Sequence, residues 1–295
     1  MNIINNKTIL VTGGTGSFGS VFVEYLLENF KPRKIMVYSR DEQKQFTMAQ
    51  QFSPEVYPCL RYFIGDVRDA DRLRRAMIGI DVVVHAAAIK HVPIAEYNPI
   101  ETIKTNILGT QNVIDACIDN NIKQLVSLST DKASSPINLY GATKLASDKL
   151  FVASNSSYAI GHKTSFSVVR YGNVMGSRGS IIPFFLSIKD KSYLPITDSR
   201  MTRFMISLDQ CVELVWHVFS DMQGGEIYVK KIPSMKVTDI AEAISPKSKF
   251  KMIGILPGEK LHEQMISAED ARSTFEYVDY YKILPQINKW MLDTK

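Results

Sequence analysis

Tyr140 and Lys144 stand four residues apart in Tyr140-Gly141-Ala142-Thr143-Lys144, a spacing that puts two side chains on one face of a helix. An ammonium beside a phenol favours the phenolate, so the pair predicts a tyrosine that acts as a base near neutral pH. Just upstream, an apolar run ends in Ser129-Thr130-Asp131-Lys132. The Thr130 hydroxyl is placed to hydrogen-bond the same substrate oxygen as the tyrosine. Asp131 and Lys132 set a carboxylate and an amine side by side. A lysine desolvated beside another cation becomes neutral enough to act as a base. As a solvated ion pair, the two would be worth only about 0–1 kcal/mol.

A second cluster is built for phosphate. Thr12-Gly13-Gly14-Thr15-Gly16-Ser17-Phe18-Gly19 lies between a strand-like run and a helix-like run, with glycines at 13, 16 and 19. Glycine permits the tight turn, lets backbone approach a pyrophosphate, and allows close helix–strand packing. The helix start then offers free amides and a partial positive charge. The next strand ends in Tyr38-Ser39-Arg40-Asp41, with Lys44 a turn later. An NAD enzyme usually has an acidic residue there for the ribose hydroxyls. Ser39, Arg40 and Lys44 instead suit a 2′-phosphate, so the expected cofactor is NADP. The plainer reading makes Arg40 and Lys44 surface charges and Asp41 a helix N-cap. Asp66 and Val67, ending the third strand, are placed to bracket the adenine.

The elements that must carry these groups alternate. Thr8–Thr12, Lys34–Tyr38, Leu60–Ile64, Val82–His85, Gln124–Ser129 and Ser165–Tyr171 read as strands. Ser17–Glu28, Glu42–Phe52, Asp69–Met77, a long stretch around Pro99–Asn120, and Tyr140–Ser154 read as helices. Apolar strands alternating with helices predict a parallel sheet covered on both faces. After about Val174 the pattern loosens into short pieces bearing proline and glycine. The expected organisation is residues 1–173 as the dinucleotide-binding part and 174–295 mainly as a smaller lobe, with later segments free to return to the sheet.

Composition sets outer limits. The chain has 295 residues, 45% hydrophobic and 22% charged, which is ordinary for a globular protein. No signal-peptide pattern opens it, and no apolar run nears the roughly 20 residues of a membrane span. A cytoplasmic protein with no membrane partner is expected. Cys59, Cys117 and Cys211 are widely spaced and complete no metal-ligand pattern with the histidines, so no metal is expected. The net charge of +5 is too diffuse to argue for nucleic acid.

The glycine turn, His85-Ala86-Ala87-Ala88 and Tyr140…Lys144 together resemble the extended short-chain dehydrogenase/reductase superfamily. Longer blocks look like its soluble UDP-N-acetylglucosamine 4,6-dehydratase (5-inverting) branch, which opens pseudaminic acid biosynthesis. They are Tyr38–Glu42, Ala88–Pro99, Ser129–Ala133, Val169–Val174, Gly176–Ser180, Met201–Phe204 and Pro257–Glu263. Membrane-anchored relatives typically carry methionine where this chain has Tyr140. The resemblance implies an α/β fold, a Rossmann-type doubly wound parallel sheet with a smaller C-terminal substrate-binding lobe. It implies that Tyr140 takes the O4 proton while C4 hydride passes to the nicotinamide. Lys144 would hold a ribose hydroxyl, Lys132 would remove the C5 proton, and Asp131 would protonate the leaving C6 hydroxyl. It adds Ala86, Ala87, Lys90 and Val174 to the cofactor contacts. It assigns a UDP-sugar to Lys90, Asn173, Arg178, Ser180, Thr197, Met201, Arg203 and Glu259. A homo-oligomer such as a hexamer is implied as well. Relatives usually have arginine where this chain has Leu256, which removes one expected diphosphate contact.

Two other readings stay open on the residues. One is a nucleotide-sugar C4 or C5 epimerase of the same superfamily, although a simple C4 epimerase has no use for a C5 base. The other is a non-catalytic NADP-binding regulatory protein, against which Thr130, Tyr140 and Lys144 all stand.

Overall fold

A computed structural model describes residues 4–156 and 162–286. Six parallel strands form its centre: β1 (Thr8–Thr12), β2 (Lys34–Ser39), β3 (Leu60–Ile64), β4 (Val82–His85), β5 (Gln124–Thr130) and β6 (Ser165–Tyr171). Their order across the sheet is β3-β2-β1-β4-β5-β6, so the chain reverses direction between β1 and β4. In open α/β sheets ligands bind in the crevice at that switch point. Strand Ile227–Lys230 extends the sheet in parallel beyond β6. Strands Tyr280–Ile283 and Thr274–Glu276 then add antiparallel edges. Segments after residue 174 therefore return to the main sheet.

Period-two alternation explains the two cores. Ile9, Val11, Val82, Val84 and Val126 face one side, with Phe22 and Leu26 of helix Ser17–Asn29 and Val215 and Phe219 of helix Leu208–Asp221. Leu10, Val83 and Leu125 face the other, against Leu73, Val113, Ile114 and Phe151. A strand buried on both faces needs apolar residues at every position, as these have. The smaller lobe has its own core of Phe185, Leu194, Ile196, Met201, Val237 and Ala241.

The expected strand positions are reproduced to within a residue. The stretch read as one helix over Pro99–Asn120 differs. It consists of helix Pro99–Ile103, a π-helical turn Lys104–Leu108, and helix Gly109–Asp119. The turn brings Asn106 against the chain after β4, where its side chain accepts from the Ile89 amide at 2.9 Å and donates to the Ile89 carbonyl at 2.9 Å. Hydrophobic spacing barely registers one extra residue in a turn, so the interruption leaves little trace in the pattern. Among the described residues no helix is long and apolar enough to cross a membrane.

Candidate active site

The glycine turn follows β1. Gly13 has φ +66°, and a Cβ there would lie 2.8 Å from the Ala87 amide. Gly19 is equally constrained, since its Cβ would meet Gly14 Cα at 2.5 Å. Helix Ser17–Asn29 starts at Gly16 with no side-chain cap, so its first amides have no intrahelical or capping acceptor. By contrast, Asp41, Asp69, Asn138 and Ser207 cap their own helices. Phe18 is buried and stacked on Phe22 at 5.5 Å, leaving only its backbone for a ligand.

Gly13, Thr15, Gly16, Ser39, Arg40, Lys44, Asp66, Val67, Ala86 and Ala87 line one cavity of about 260 Å³. Thr15 Oγ1 and Ser39 Oγ are 2.9 Å apart across it. Asp41 accepts from the Lys44 amide at 2.9 Å and pairs with Lys44 Nζ at 2.8 Å, which holds its carboxyl below the usual range. Arg40 lies 3.6 Å from Asp66, whose carboxyl is also lowered. Burial opposes that lowering, and hydrogen bonds from Arg68 more than offset it. Uncapped amides, paired hydroxyls and cations form a donor set that fits a phosphorylated dinucleotide. A larger cavity of about 590 Å³ lies in the smaller lobe, where Lys236 and Asp239 are the only ionisable lining residues. It holds none of the catalytic candidates.

Helix Leu139–Ala153 starts at Asn138, which accepts from the Gly141 amide at 2.7 Å. It carries Tyr140 half-buried and Lys144 buried, beside the end of β5. Gly141 is required there because a Cβ would lie 2.2 Å from the Lys132 carbonyl oxygen. The two segments that carry the catalytic candidates are thus packed backbone to backbone. Thr130 bonds the Tyr140 phenol, donates to Asp131 Oδ1 at 3.0 Å, and caps the short turn Asp131–Ala133 by accepting from the Lys132 amide. Lys132 Nζ lies 3.0 Å from Asp131 Oδ1 and 3.4 Å from Glu263 Oε1.

Two electrostatic expectations need correction. Burial pushes the Tyr140 phenol well up, opposed by the Thr130 hydrogen bond and reinforced by Asp131 and Asp148. Lys144 does not make it a phenolate in the protein alone. Burial lowers Lys144 itself, and its counter-charge is Asp148, one helical turn on. Lys132, expected beside a cation, is flanked instead by two carboxylates.

The residues expected to hold a sugar nucleotide divide into groups. Asn173 Oδ1 and Ser180 Oγ are buried and, among the described residues, have no hydrogen-bond partner. Such atoms in a native site call for a ligand or water. Val174, expected at the cofactor, pairs with Ile206 in the small three-stranded sheet. Met201 is buried in the lobe core, with its sulfur accepting from Thr197 Oγ1 at 3.1 Å. Arg203 donates to the Thr202 and Leu261 carbonyls at 2.8 and 3.3 Å. Glu259 accepts from the Leu256 amide at 3.4 Å. Arg178 lies on the glycine turn: its amide donates to Ser17 Oγ at 3.1 Å and Nη2 to the Thr15 carbonyl at 3.2 Å. Lys90 Nζ donates to the Arg178 carbonyl at 2.8 Å, and burial together with Arg178 lowers its pKa.

Residues 9–285 match the family described as polysaccharide biosynthesis protein. The chain belongs to this family. It is 60% identical over 287 residues to the UDP-N-acetylglucosamine 4,6-dehydratase (inverting) of Campylobacter jejuni, covering 97% of this chain and 85% of the relative. It is 41% identical over 286 residues to the UDP-glucose 4-epimerase of Rickettsia canadensis, covering 94% and 83%. The solved structure of Pen from Bacillus thuringiensis superposes with a TM-score of 0.92 at 39% identity, covering 97% and 92%. These findings agree with the resemblance carried by the motif blocks.

Within this family member, sequence reasoning passed over three groups near the catalytic pair. Asn106 donates to Thr143 Oγ1 at 3.0 Å, which fixes the residue next to Lys144. Asp148 Oδ2 accepts from Ser129 Oγ at 2.8 Å and from Arg170 Nη2 at 3.3 Å. Glu263 reaches Lys132 from the far lobe. Asp148 carries the one available signal, since it stands four residues beyond Lys144 and so shares its helix face.

Proposed function

We propose that this chain is an NADP-dependent UDP-N-acetylglucosamine 4,6-dehydratase (5-inverting), a hydro-lyase. The observation that carries the reading is the hydrogen-bonded Asp131–Lys132 pair at the end of β5, next to Thr130 and Tyr140. Redox at C4 alone needs Tyr140 and Lys144. An adjoining acid and amine supply what elimination of water requires in addition. The 60% identical relative bearing this activity supports the same reading.

Tyr140 Oη receives the sugar O4 proton, and Thr130 Oγ1 bonds that oxygen. Gly13, Thr15, Gly16, Ser17, Phe18 and Gly19 hold the cofactor phosphates through backbone and hydroxyls. Ser39, Arg40 and Lys44 face the 2′-phosphate, and Lys144 faces the ribose. Asp41 caps its own helix through the Lys44 amide and pairs with Lys44 Nζ. When bound, the oxidised nicotinamide would supply a hydride acceptor for C4 and a hydride donor for C6, and its positive charge would favour the Tyr140 phenolate.

Elimination needs Lys132 as an amine and Asp131 as an acid. Moving one proton from Nζ to Oδ1 along their 3.0 Å hydrogen bond gives both states at once. The amine then takes the C5 proton, the C5–C6 double bond forms, the C6–O bond breaks, and Asp131 protonates the departing hydroxyl as water. The starting ion pair is restored. Hydride at C6 and a solvent-derived proton on the face of C5 opposite Lys132 would complete an inverted 4-keto-6-deoxy sugar.

A C4 epimerase is the second reading, favoured by the Rickettsia relative. The enzyme is placed in the cytoplasm, in pseudaminic acid biosynthesis, as a homo-oligomer such as a hexamer. Ile94, Tyr97 and Ile100, exposed on consecutive short helices, support self-association. Mass spectrometry together with NMR of the recovered sugar nucleotide, after incubation with UDP-N-acetylglucosamine and no added cofactor, tests the activity. Loss of one water supports dehydration, and unchanged mass with altered configuration supports the epimerase.

A further inference from the structure

We propose that Glu263 is a positioning residue for the base Lys132, an inference that rests on the dehydratase reading. Its Oε1 lies 3.4 Å from Lys132 Nζ, on a side chain only 3% exposed. Asp131 is wholly buried, while Lys132 retains 21% exposure. A carboxylate leaves water only when it finds a charged or hydrogen-bonding partner. Glu263 finds Lys132, together with Lys260 Nζ at 3.6 Å, and its Oε2 makes no hydrogen bond among the described residues.

The loop that carries Glu263 is fastened to both lobes. Lys260 Nζ donates to the Ser134 carbonyl at 2.7 Å, and Asn138 Nδ2 donates to the Gly258 carbonyl at 2.7 Å. On the other side, the Thr202 amide donates to the Leu261 carbonyl at 3.1 Å. The segment therefore clasps the catalytic turn from the substrate lobe. A lysine has a long flexible stem, and one carboxylate fixes its nitrogen at a single point. The second, arriving from another lobe, fixes the direction in which the nitrogen faces. Glu259, on the same loop, is a candidate sugar-nucleotide contact, so substrate engagement and base placement share one segment.

Lys132 serves elimination and has no part in C4 oxidation. Loss of Glu263 should therefore slow the second step while sparing the first. The test mixes the holoenzyme rapidly with UDP-N-acetylglucosamine in D₂O. It follows reduced nicotinamide by absorbance, and water loss and C5 deuteration by quenched NMR. Wild type should lose water with little reduced cofactor building up. Glu263→Gln, which keeps the volume, should slow water loss and C5 deuteration by about 10²-fold, with KM little changed and reduced cofactor accumulating. Glu263→Asp, shorter by one methylene, should show the same signature with about a tenfold slowing, so the test does not depend on one variant folding. Parallel loss of cofactor reduction and water release would overturn the proposal, as would full retention of both. A wild type that holds cofactor yet neither reduces it nor releases water would overturn the dehydratase reading, and the Glu263 role with it.

Discussion

Lys132 Nζ and Asp131 Oδ1, the groups assigned as base and acid, are joined by a single 3.0 Å hydrogen bond. Elimination as proposed uses both ends of that bond, so the two should behave as one unit. Lys132→Ala and Asp131→Asn should each lower the dehydration rate by about 10²–10⁴-fold. The double variant should be little worse than either single one. Rates in a double-mutant cycle check this, and strict additivity would mean that the two act separately.

Arg178 sits on the glycine turn, bonded to Ser17 and Thr15. Arg178→Ala keeps the backbone bond to Ser17 but loses the guanidinium bond to the Thr15 carbonyl and should weaken dinucleotide affinity by about tenfold. The readout is the nucleotide content of purified protein and its titration with NADP. If retention is normal and only the KM for the sugar nucleotide rises, Arg178 belongs to the sugar diphosphate instead.

Gly19→Ala would place a methyl 2.5 Å from Gly14 Cα and 2.6 Å from the Gly13 carbonyl oxygen. The clash is with backbone, which cannot rotate away. A loss of about 1–3 kcal/mol in stability is expected, along with loss of bound dinucleotide. Denaturant titration and nucleotide extraction measure the two effects. An unchanged variant would show that the turn has room.

His85 is buried, with Nδ1 2.8 Å from Thr12 Oγ1. Burial, with a smaller contribution from Lys144, lowers its pKa from 6.5 to about 3. A depressed value means that the folded protein resists protonation which the unfolded chain accepts. The associated stability is present above pH 6.5 and is lost as pH falls from there toward about 3. At pH 5 the loss is about 2 kcal/mol. Urea unfolding of wild type and His85→Gln at pH 7 and pH 5 should show that difference in wild type and much less in the variant.

Much of the frame was legible in the residues because it depends on local pattern. Apolar strands, the Asp41 cap and the glycine turn announce themselves within a few positions. The Tyr140–Lys144 spacing does the same. What was hidden is carried by contacts between distant segments. Arg170, 1% exposed, pairs with Asp148 and Asp270, and no periodicity links those positions. Glu263 meets Lys132 across lobes in the same way. The charge state of Tyr140 was misjudged for a related reason, since burial and Asp148 are properties of the folded environment. Arg178 was read with the sugar-nucleotide residues because its block is continuous with Asn173 and Ser180, and its contacts with Thr15 and Ser17 of the glycine turn have no trace in local pattern.

The central claim is that one site oxidises C4, removes water across C5 and C6, and inverts C5. Its most direct measurement is NMR of UDP-N-acetylglucosamine incubated with the purified protein in D₂O, with no cofactor added. The account predicts a 4-keto-6-deoxy sugar nucleotide of inverted C5 configuration carrying deuterium at C5. Recovery of unaltered sugar by a protein that holds NADP, or a product that keeps its C6 hydroxyl, would contradict it.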